Sequence, residues 1–323
     1  MATYQDLKGL RVKYLSADPS TFAGGEVWYN STTGTLKTLV ASAAWSSGSP
    51  MISGRNGLGS SGNLQDSALA SGGYTTGAVA TTEEYNGLGW STGDDLNVAR
   101  YASRASGTQG ASRSYMGYTG TAFQTVSETY NGSTWSTGPS MITGRQSGSY
   151  AGTSTTSLAA GGGNPGTITN SEEYNGSAWV EGPDLNTART NIGGSGTQTA
   201  ALAAGGELGP PGYSLATESY DGSTWTNTGS LNVIKGGQGQ GGTQTSSLAF
   251  GGYTGTAPTT ATESYDGSTW TNLSPVVLAT ARNSLGGTGA SSSSALAFGG
   301  DPQVKATEEF NLSTSVTTAG AWA

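Results

Sequence analysis

Short apolar stretches of small residues alternate along this chain with polar, glycine-rich segments. In one block, Leu248-Ala249-Phe250 ends at Gly251-Gly252, which reads as a strand closing in a sharp turn. Thr262-Glu263-Ser264-Tyr265 follows, and alternation with period two places Glu263 and Tyr265 on one face of a strand. Trp270 comes after a further turn. The pattern predicts a meander of short strands.

The same landmarks recur every 44 to 46 residues. The tryptophans stand at Trp45, Trp90, Trp135, Trp179, Trp225 and Trp270. The preceding aromatics are Tyr85, Tyr130, Tyr174, Tyr220, Tyr265 and Phe310. A fixed period of this length indicates a repeat architecture. Four strands per block, with aromatics in the outer pair and glycines in the inner strand, predict a propeller blade, because inner strands converge on an axis and outer strands spread apart.

An Asn-Gly or Asp-Gly pair separates the tyrosine strand from the tryptophan strand, and such pairs favour two-residue hairpin loops with positive φ. They are Asn86-Gly87, Asn131-Gly132, Asn175-Gly176, Asp221-Gly222 and Asp266-Gly267. We interpret them as turn residues and not as ligands.

The Gly-Gly pair after an apolar strand, the Tyr-Asp/Asn turn, the Trp five residues later and the Arg ten beyond resemble the kelch repeat. The resemblance covers residues 41–323 in six copies, and the second copy departs from it with Met116-Gly117. It implies an all-β fold, a six-bladed kelch-like β-propeller. The tryptophan and tyrosine series are then expected to pack between blades.

The two ends of the chain predict how the propeller closes. The sixth copy has Ser315 where its tryptophan is due, whereas Trp45 stands ten residues before Arg55, which is the offset of four of the other five tryptophans from their repeated cations. We expect a strand at Trp45 to complete the sixth blade, which would protect strand edges. In the alternative, Trp322 serves the sixth copy through a longer hairpin.

Residues 1–40 are expected to form a separate arm with a hairpin over 26–37, turning at Thr33-Gly34.

Composition excludes several classes of function. The net charge is −8 without a basic run, which disfavours nucleic acid binding. The sequence contains no stretch of 18 apolar residues, and no apolar signal segment is expected at its start. Histidine and cysteine are absent, so Ser-His-Asp and Cys-His catalysis and His- or Cys-based metal sites are excluded. We expect no cofactor and no metal.

A charged pair repeats with the blades. Each cation opens a block, and each glutamate stands two residues before the aromatic. The pairs are Arg55 and Glu83, Arg100 and Glu128, Arg145 and Glu172, Arg189 and Glu218, Lys235 and Glu263, and Arg282 and Glu308. They could form a cationic mouth that grips an anionic glycan or phosphate. Six identical occurrences favour a structural tie within each blade instead.

Variation between copies is more informative about binding. The segment between Gly-Gly and Glu varies from seven to eleven residues, and variable loops on a rigid scaffold usually carry specificity. The candidate ligand-binding residues in these loops are Tyr74, Tyr118, Phe123, Tyr213 and Tyr253. Pro210-Pro211 lies in the same loop as Tyr213. Asp94-Asp95 and Asp301 could bind calcium, but they lack a dense Asp-x-Asp-x-Asp pattern.

The leader and hairpin over 24–37, followed by Gly/Ser/Thr-rich kelch-like blades, resemble structural proteins of tailed bacteriophages from marine settings. This implies a non-enzymatic virion adhesion protein on the outer surface of the particle, multimeric there. Residues 1–40 would dock on other virion proteins, and the propeller would face outward toward host-surface glycans. One alternative is a stand-alone, extracellular glycan- or protein-binding propeller. Another is a carboxylate-based glycan-active enzyme, which needs two special acids in one pocket. Copper enzymes of the galactose-oxidase kind are excluded because their site needs His and Cys.

Overall fold

The fold is all-β. The computed structural model describes residues 12–19, 27–209 and 212–318, and these contain strands and turns but no helix. The first strands are β1 (Lys13–Leu15), β2 (Val27–Asn30), β3 (Thr35–Gly48), β4 (Gly59–Leu64), β5 (Ser67–Tyr74), β6 (Ala78–Tyr85), β7 (Trp90–Thr92), β8 (Arg104–Thr108), β9 (Ala111–Tyr115), β10 (Glu128–Tyr130), β11 (Trp135–Thr137), β12 (Ser149–Gly152), β13 (Ser157–Ala160), β14 (Gly163–Asn164) and β15 (Gly166–Thr167). The others are β16 (Ser171–Tyr174), β17 (Trp179–Gly182), β18 (Gly193–Thr197), β19 (Ala200–Ala204), β20 (Glu207–Gly209), β21 (Gly212–Tyr213), β22 (Thr217–Tyr220), β23 (Trp225–Thr228), β24 (Gly239–Gly242), β25 (Ser247–Phe250), β26 (Thr262–Tyr265), β27 (Trp270–Asn272), β28 (Gly286–Ser291), β29 (Ser294–Phe298) and β30 (Thr307–Thr318).

Each full repeat forms one four-stranded antiparallel sheet. In the described residues these sheets have the orders β4-β5-β6-β7, β8-β9-β10-β11, β12-β13-β16-β17, β18-β19-β22-β23 and β24-β25-β26-β27. The pairs β14-β15 and β20-β21 are short hairpins within the loops after the Gly-Gly turns. The glutamate and tyrosine lie on the third strand of a sheet, and the tryptophan begins the fourth, as the sequence pattern predicts.

The hairpin between the third and fourth strands is longer than the two-residue loop expected at Asn-Gly or Asp-Gly. Tyr130 pairs with Trp135, so four residues separate the strands. The Asn131 Oδ1 atom accepts hydrogen bonds from the N–H groups of Ser133 and Thr134, both at 2.9 Å, and Gly132 has φ of +91°. The positive φ was predicted correctly, but the side chain of Asn131 closes a wider turn.

A further sheet is built from both ends of the repeat region. Strands β28, β29, β30 and β3 are neighbours in that order within a six-stranded sheet, so the segment beginning at Trp45 lies beside the segment that ends at Phe310. Trp45 Nε1 donates to Thr262 Oγ1 at 2.9 Å, as Trp270 Nε1 donates to Thr217 Oγ1 at 3.0 Å. Trp45 therefore occupies the place that the other tryptophans have in their own sheets. Trp322, the alternative residue for this place, lies outside the described residues.

Aromatic side chains fill the space between neighbouring sheets. The ring of Trp179 lies 5.0 Å from that of Tyr115 in the preceding sheet, and Trp90 lies 4.9 Å from Phe298. Trp90 Nε1 also donates to Thr307 Oγ1 at 2.9 Å. Such aromatic pairs stabilise by about 0.5–1.5 kcal/mol beyond the area they bury. The tryptophans thus help to join neighbouring sheets.

The first strands of the sheets contact one another in sequence. Strand β4 contacts β8, β8 contacts β12, β12 contacts β18, β18 contacts β24, β24 contacts β28, and β28 contacts β4. Backbone bonds follow the same path, because Gly57 N donates to Ser284 O and Ser284 N donates to Gly237 O. The glycine-rich sequence of these strands allows this close approach.

The chain divides into two compact units. One is Trp45–Phe310, and the other combines Met1–Ala44 with Asn311–Ala323, so its bounds differ from the expected arm of residues 1–40. Both β3 and β30 continue beyond the unit Trp45–Phe310, and in the smaller unit Ser313 Oγ donates to Ser42 O at 3.2 Å. The C-terminal segment therefore belongs with the N-terminal one.

A hairpin is present in the smaller unit, as expected. Strand β2 pairs with β3 from Val27↔Thr38 to Asn30↔Thr35, and β1 pairs in parallel with β2, whereas Glu26 lies outside the described residues. The Asp18 carboxylate makes an ion pair with Lys37 at 2.7 Å and accepts hydrogen bonds from Asn30 and Trp28. These contacts lower the pKa of Asp18 to about 2.

Candidate functional site

All six repeated cations form ion pairs with the glutamates of their own repeats. The side chains of these cations are fully buried, and each glutamate side chain is at most 5% exposed. The pairs are Arg55–Glu83, Arg100–Glu128, Arg145–Glu172, Arg189–Glu218, Lys235–Glu263 and Arg282–Glu308. Burial lowers the pKa of each cation, although arginine stays protonated in proteins.

The pair Arg189–Glu218 illustrates what these groups do. Arg189 Nη2 lies 2.8 Å from Glu218 Oε1, and Nη1 donates to the carbonyls of Gly205 and Ala216 at 2.6 and 2.7 Å. The second carboxylate oxygen accepts the N–H of Asn186 at 2.7 Å. The two charges are therefore neutralised within one sheet. Their hydrogen bonds also hold the loop that leads into β18, the first strand of that sheet. The charged groups do not form a cationic mouth.

Three of the five predicted loop aromatics belong to one cluster. Tyr74, Tyr118 and Phe123 are half-buried, and Tyr101 connects them. The ring centroids are 5.1 Å apart for Tyr74–Tyr101, 5.7 Å for Tyr101–Tyr118 and 5.0 Å for Tyr118–Phe123. Burial and the adjacent Tyr118 and Tyr74 raise the pKa of Tyr101. We call these four residues the aromatic cluster.

The other two predicted aromatics form a separate contact. Tyr213 and Tyr253 are half-buried, with ring centroids 5.9 Å apart. Burial raises the pKa of Tyr213, and Glu207 and Tyr253 add to this shift. The adjacent Pro210-Pro211 lies outside the described residues. The five predicted residues therefore divide between two places.

A cavity of about 230 Å³ lies beside the aromatic cluster. We call it the Arg104 cavity; its lining includes Asn56, Tyr101, Arg104, Gln146, Asn191 and Ser284. Arg104 Nε donates to Gly148 O at 2.9 Å, and Nη1 donates to Ser103 O at 3.0 Å. Burial lowers the pKa of Arg104. Among the described residues, no carboxylate forms an ion pair with it.

A second cavity, of about 560 Å³, is lined by residues of all six first strands. We call it the Tyr150 cavity; its lining includes Ser60, Ser106, Tyr150, Ser195, Gln240 and Thr288. The Tyr150 hydroxyl lies 3.3 Å from Ser60 Oγ and 3.4 Å from Gly287 O, so it reaches across to other sheets. The Arg104 guanidinium lies 5.8 Å from the centre of the Tyr150 ring. These two side chains lie in contact where the first strands converge.

Sequence reasoning missed Arg104, Tyr150 and Tyr101. Strand pairing aligns Arg104 with a glycine or serine in every other sheet, namely Gly59, Ser149, Gly193, Gly239 and Gly286. The inner strands were expected to carry almost no side-chain bulk, and Arg104 and Tyr150 depart from this. Aligning the six copies position by position would have identified both. Tyr101 is likewise the one aromatic residue among those that follow the repeated cation.

Two of the three calcium candidates, Asp94 and Asp301, have protein partners. Asp94 Oδ2 accepts the N–H of Trp135 at 3.2 Å, and Asp301 Oδ1 accepts a hydrogen bond from Asn56 Nδ2 at 3.1 Å. Within the part of the chain that the structure describes, no three acidic side chains are grouped as a metal site. Nor does that part include a helix with the length and hydrophobicity that spanning a bilayer requires.

No protein-family model matches this sequence, and no curated protein matches it significantly.

Proposed function

We propose that the larger unit is a closed, six-bladed, kelch-like β-propeller. The cyclic contacts of the first strands support this proposal, because β28 contacts β4 as each earlier first strand contacts the next. The hydrogen bonds of Trp45 and Trp90 add support, since they join the last sheet to its neighbours on both sides. In this architecture both cavities lie on the central axis, and Arg104 and Tyr150 lie between them.

The function that we propose is non-enzymatic adhesion, with host-surface glycans as the ligands. The observation that carries this proposal is the aromatic cluster, which is half-buried beside the Arg104 cavity and has three of its four residues in the segments of variable length. Aromatic faces with polar neighbours suit sugar rings, which present both apolar faces and hydroxyl groups. Among the described residues that line the two cavities none is acidic, so these linings do not supply the pair of acids that a glycosidase requires.

The setting that we propose is the outer surface of a tailed bacteriophage virion, where the protein is multimeric. This part of the proposal is based on the resemblance of the N-terminal segment and blades to phage structural proteins. The smaller unit is compact, and within it Asp18 contacts Lys37 and Trp28. This internal order supports a docking role for residues 1–40. The propeller would then face away from the particle.

A glycan array tests the binding function. We expect the full chain to bind a subset of glycans and Tyr118→Ala to weaken that binding about tenfold, or about 1.4 kcal/mol, because Tyr118 contacts two other rings of the cluster. Leu88→Ala is the control, since Leu88 is 83% exposed on a hairpin loop. Absence of binding at every glycan density would contradict the proposal, provided that the unfolding midpoints of the proteins agree.

Mass spectrometry of purified particles tests the setting. We expect the protein in the particles, and we expect deletion of residues 1–40 to abolish incorporation while leaving a folded propeller. Circular dichroism of the truncated chain provides the control for folding. Absence of the full chain from particles would favour a stand-alone binding protein, and undiminished incorporation of the truncated chain would refute the docking arm.

A further inference from the structure

Arg104 differs from the cations of the repeat in lacking a carboxylate partner. The repeated cations are each neutralised within their own sheet, whereas Arg104 has two carbonyl acceptors and the face of Tyr150. Arg104 is half-buried, and a partly desolvated cation without a counterion is destabilising unless something pairs with it. Its position is occupied by glycine or serine in the other sheets, so the repeat does not require it. Arg104 is therefore a candidate for binding an anion.

The cavity around Arg104 has room for a ligand much larger than one water molecule. Its volume is about 230 Å³, whereas a water molecule in the liquid occupies about 30 Å³. Gln146, Ser147 and Ser284 contribute polar side chains to the wall, and Tyr101 contributes an aromatic one. Amides and hydroxyls can exchange hydrogen bonds with the hydroxyl groups of a sugar.

Two carboxylates near this cavity already have partners. Asn56 Nδ2 donates to Asp301 at 3.1 Å, and Asn191 Nδ2 donates to Glu207 at 3.0 Å. Neither acid lines the cavity, and neither makes an ion pair with Arg104 within the described residues. The guanidinium is thus the charged group that an entering ligand meets on the cavity wall.

We propose that the Arg104 cavity binds the carboxylate of an acidic sugar, a uronate at the end of a glycan. The planar guanidinium matches a carboxylate, and Tyr101 belongs to both the cavity wall and the aromatic cluster. One bound sugar acid would therefore reach the charge and the aromatic face together. This inference depends on the proposed glycan-binding function and specifies its ligand class. An acidic peptide is the competing occupant. It would form fewer hydrogen bonds with the amide and hydroxyl groups of the cavity wall than a sugar would.

Isothermal titration calorimetry of the full chain with D-glucuronate and D-glucose tests the proposal. We expect glucuronate to bind and glucose to bind about tenfold more weakly or not at all. Arg104→Gln should weaken glucuronate binding about tenfold, because the charge-assisted hydrogen bonds are lost. Arg113→Gln is the matched control. Arg113 is a buried arginine of the same sheet that stacks on Tyr174 at 3.7 Å and does not line the cavity.

Several results would overturn the proposal. These are equal binding of glucuronate to the wild type and to Arg104→Gln, equal binding of glucose and glucuronate, or Arg104-dependent binding of a glutamate-rich peptide without binding of glucuronate. If Arg104→Gln does not fold, Arg104→Lys keeps the charge without the planar fork and should still weaken binding severalfold. Binding of neutral glycans on the array, lost in Tyr118→Ala and unchanged in Arg104→Gln, would leave the adhesion function standing and refute only this inference.

Discussion

Replacing Glu218 with alanine is expected to lower the free energy of unfolding by about 3–5 kcal/mol. The substitution leaves Arg189 buried with its two carbonyl bonds but without a counter-charge. It also leaves the N–H of Asn186 without its acceptor. Removing one member of a buried pair costs far more than the pair contributes, because the remaining charge cannot reach water. Urea unfolding followed by tryptophan fluorescence measures the change.

Two controls make this result specific. Glu181→Ala removes an exposed carboxylate and should change stability by less than about 0.5 kcal/mol. The double substitution Arg189→Met with Glu218→Leu removes both charges, and it should be less destabilising than Glu218→Ala alone. If Glu218→Ala costs less than about 1 kcal/mol, the pair is not the tie described above.

Replacing Gly194 with alanine is expected to destabilise the protein by about 3 kcal/mol. A Cβ atom at this position would lie 2.3 Å from the carbonyl oxygen and 2.5 Å from the nitrogen of Tyr150, in the first strand of the neighbouring sheet. Both are backbone atoms, so two first strands must move apart to accommodate the methyl group. Thermal unfolding followed by circular dichroism measures the loss.

Gly110→Ala is the matched control for this substitution. Gly110 is exposed in a turn, and a Cβ atom there would meet nothing within 4 Å. We expect the free energy of unfolding of the Gly110→Ala variant to stay within about 0.5 kcal/mol of the wild-type value. If both substitutions changed stability equally, the change would come from the different backbone freedom of glycine and alanine. The close approach of neighbouring first strands would then not be its cause.

The regular part of the molecule could be predicted from sequence because it repeats. Tryptophans such as Trp135 pack between sheets, where they are 5–6% exposed in four of the copies, and the fixed period identified their common environment. The spacing of Arg189 and Glu218 likewise indicated a shared role. The loop at Asn131-Gly132 was predicted only in part, since the Asn131 side chain closes a wider turn by accepting the backbone N–H groups of Ser133 and Thr134, which the turn pair alone does not indicate.

The candidate site was harder to predict because it consists of exceptions to the repeat. Arg104 and Tyr150 each occupy a position where small residues prevail, and only strand register shows that both side chains meet where the first strands converge. Tyr101 was missed because it follows a repeated cation and not a variable loop. Variation in loop length singled out Tyr118, Phe123, Tyr213 and Tyr253 as candidates, but it could not show that the first two residues form one cluster whereas the last two form another.

The sheet that combines β3 with β30 has a consequence for biosynthesis. Five sheets draw their strands from contiguous sequence, so each can assemble soon after it leaves the ribosome. The sheet that contains β3 and β30 requires both Trp45–Gly48 and Thr307–Phe310, which are separated by more than 250 residues of sequence. Contacts so distant along the chain form late and slowly. Until Thr307–Phe310 has been synthesised, Trp45–Gly48 has no lasting hydrogen-bonding neighbour, and chains terminated before that point would display unpaired strand edges prone to aggregation.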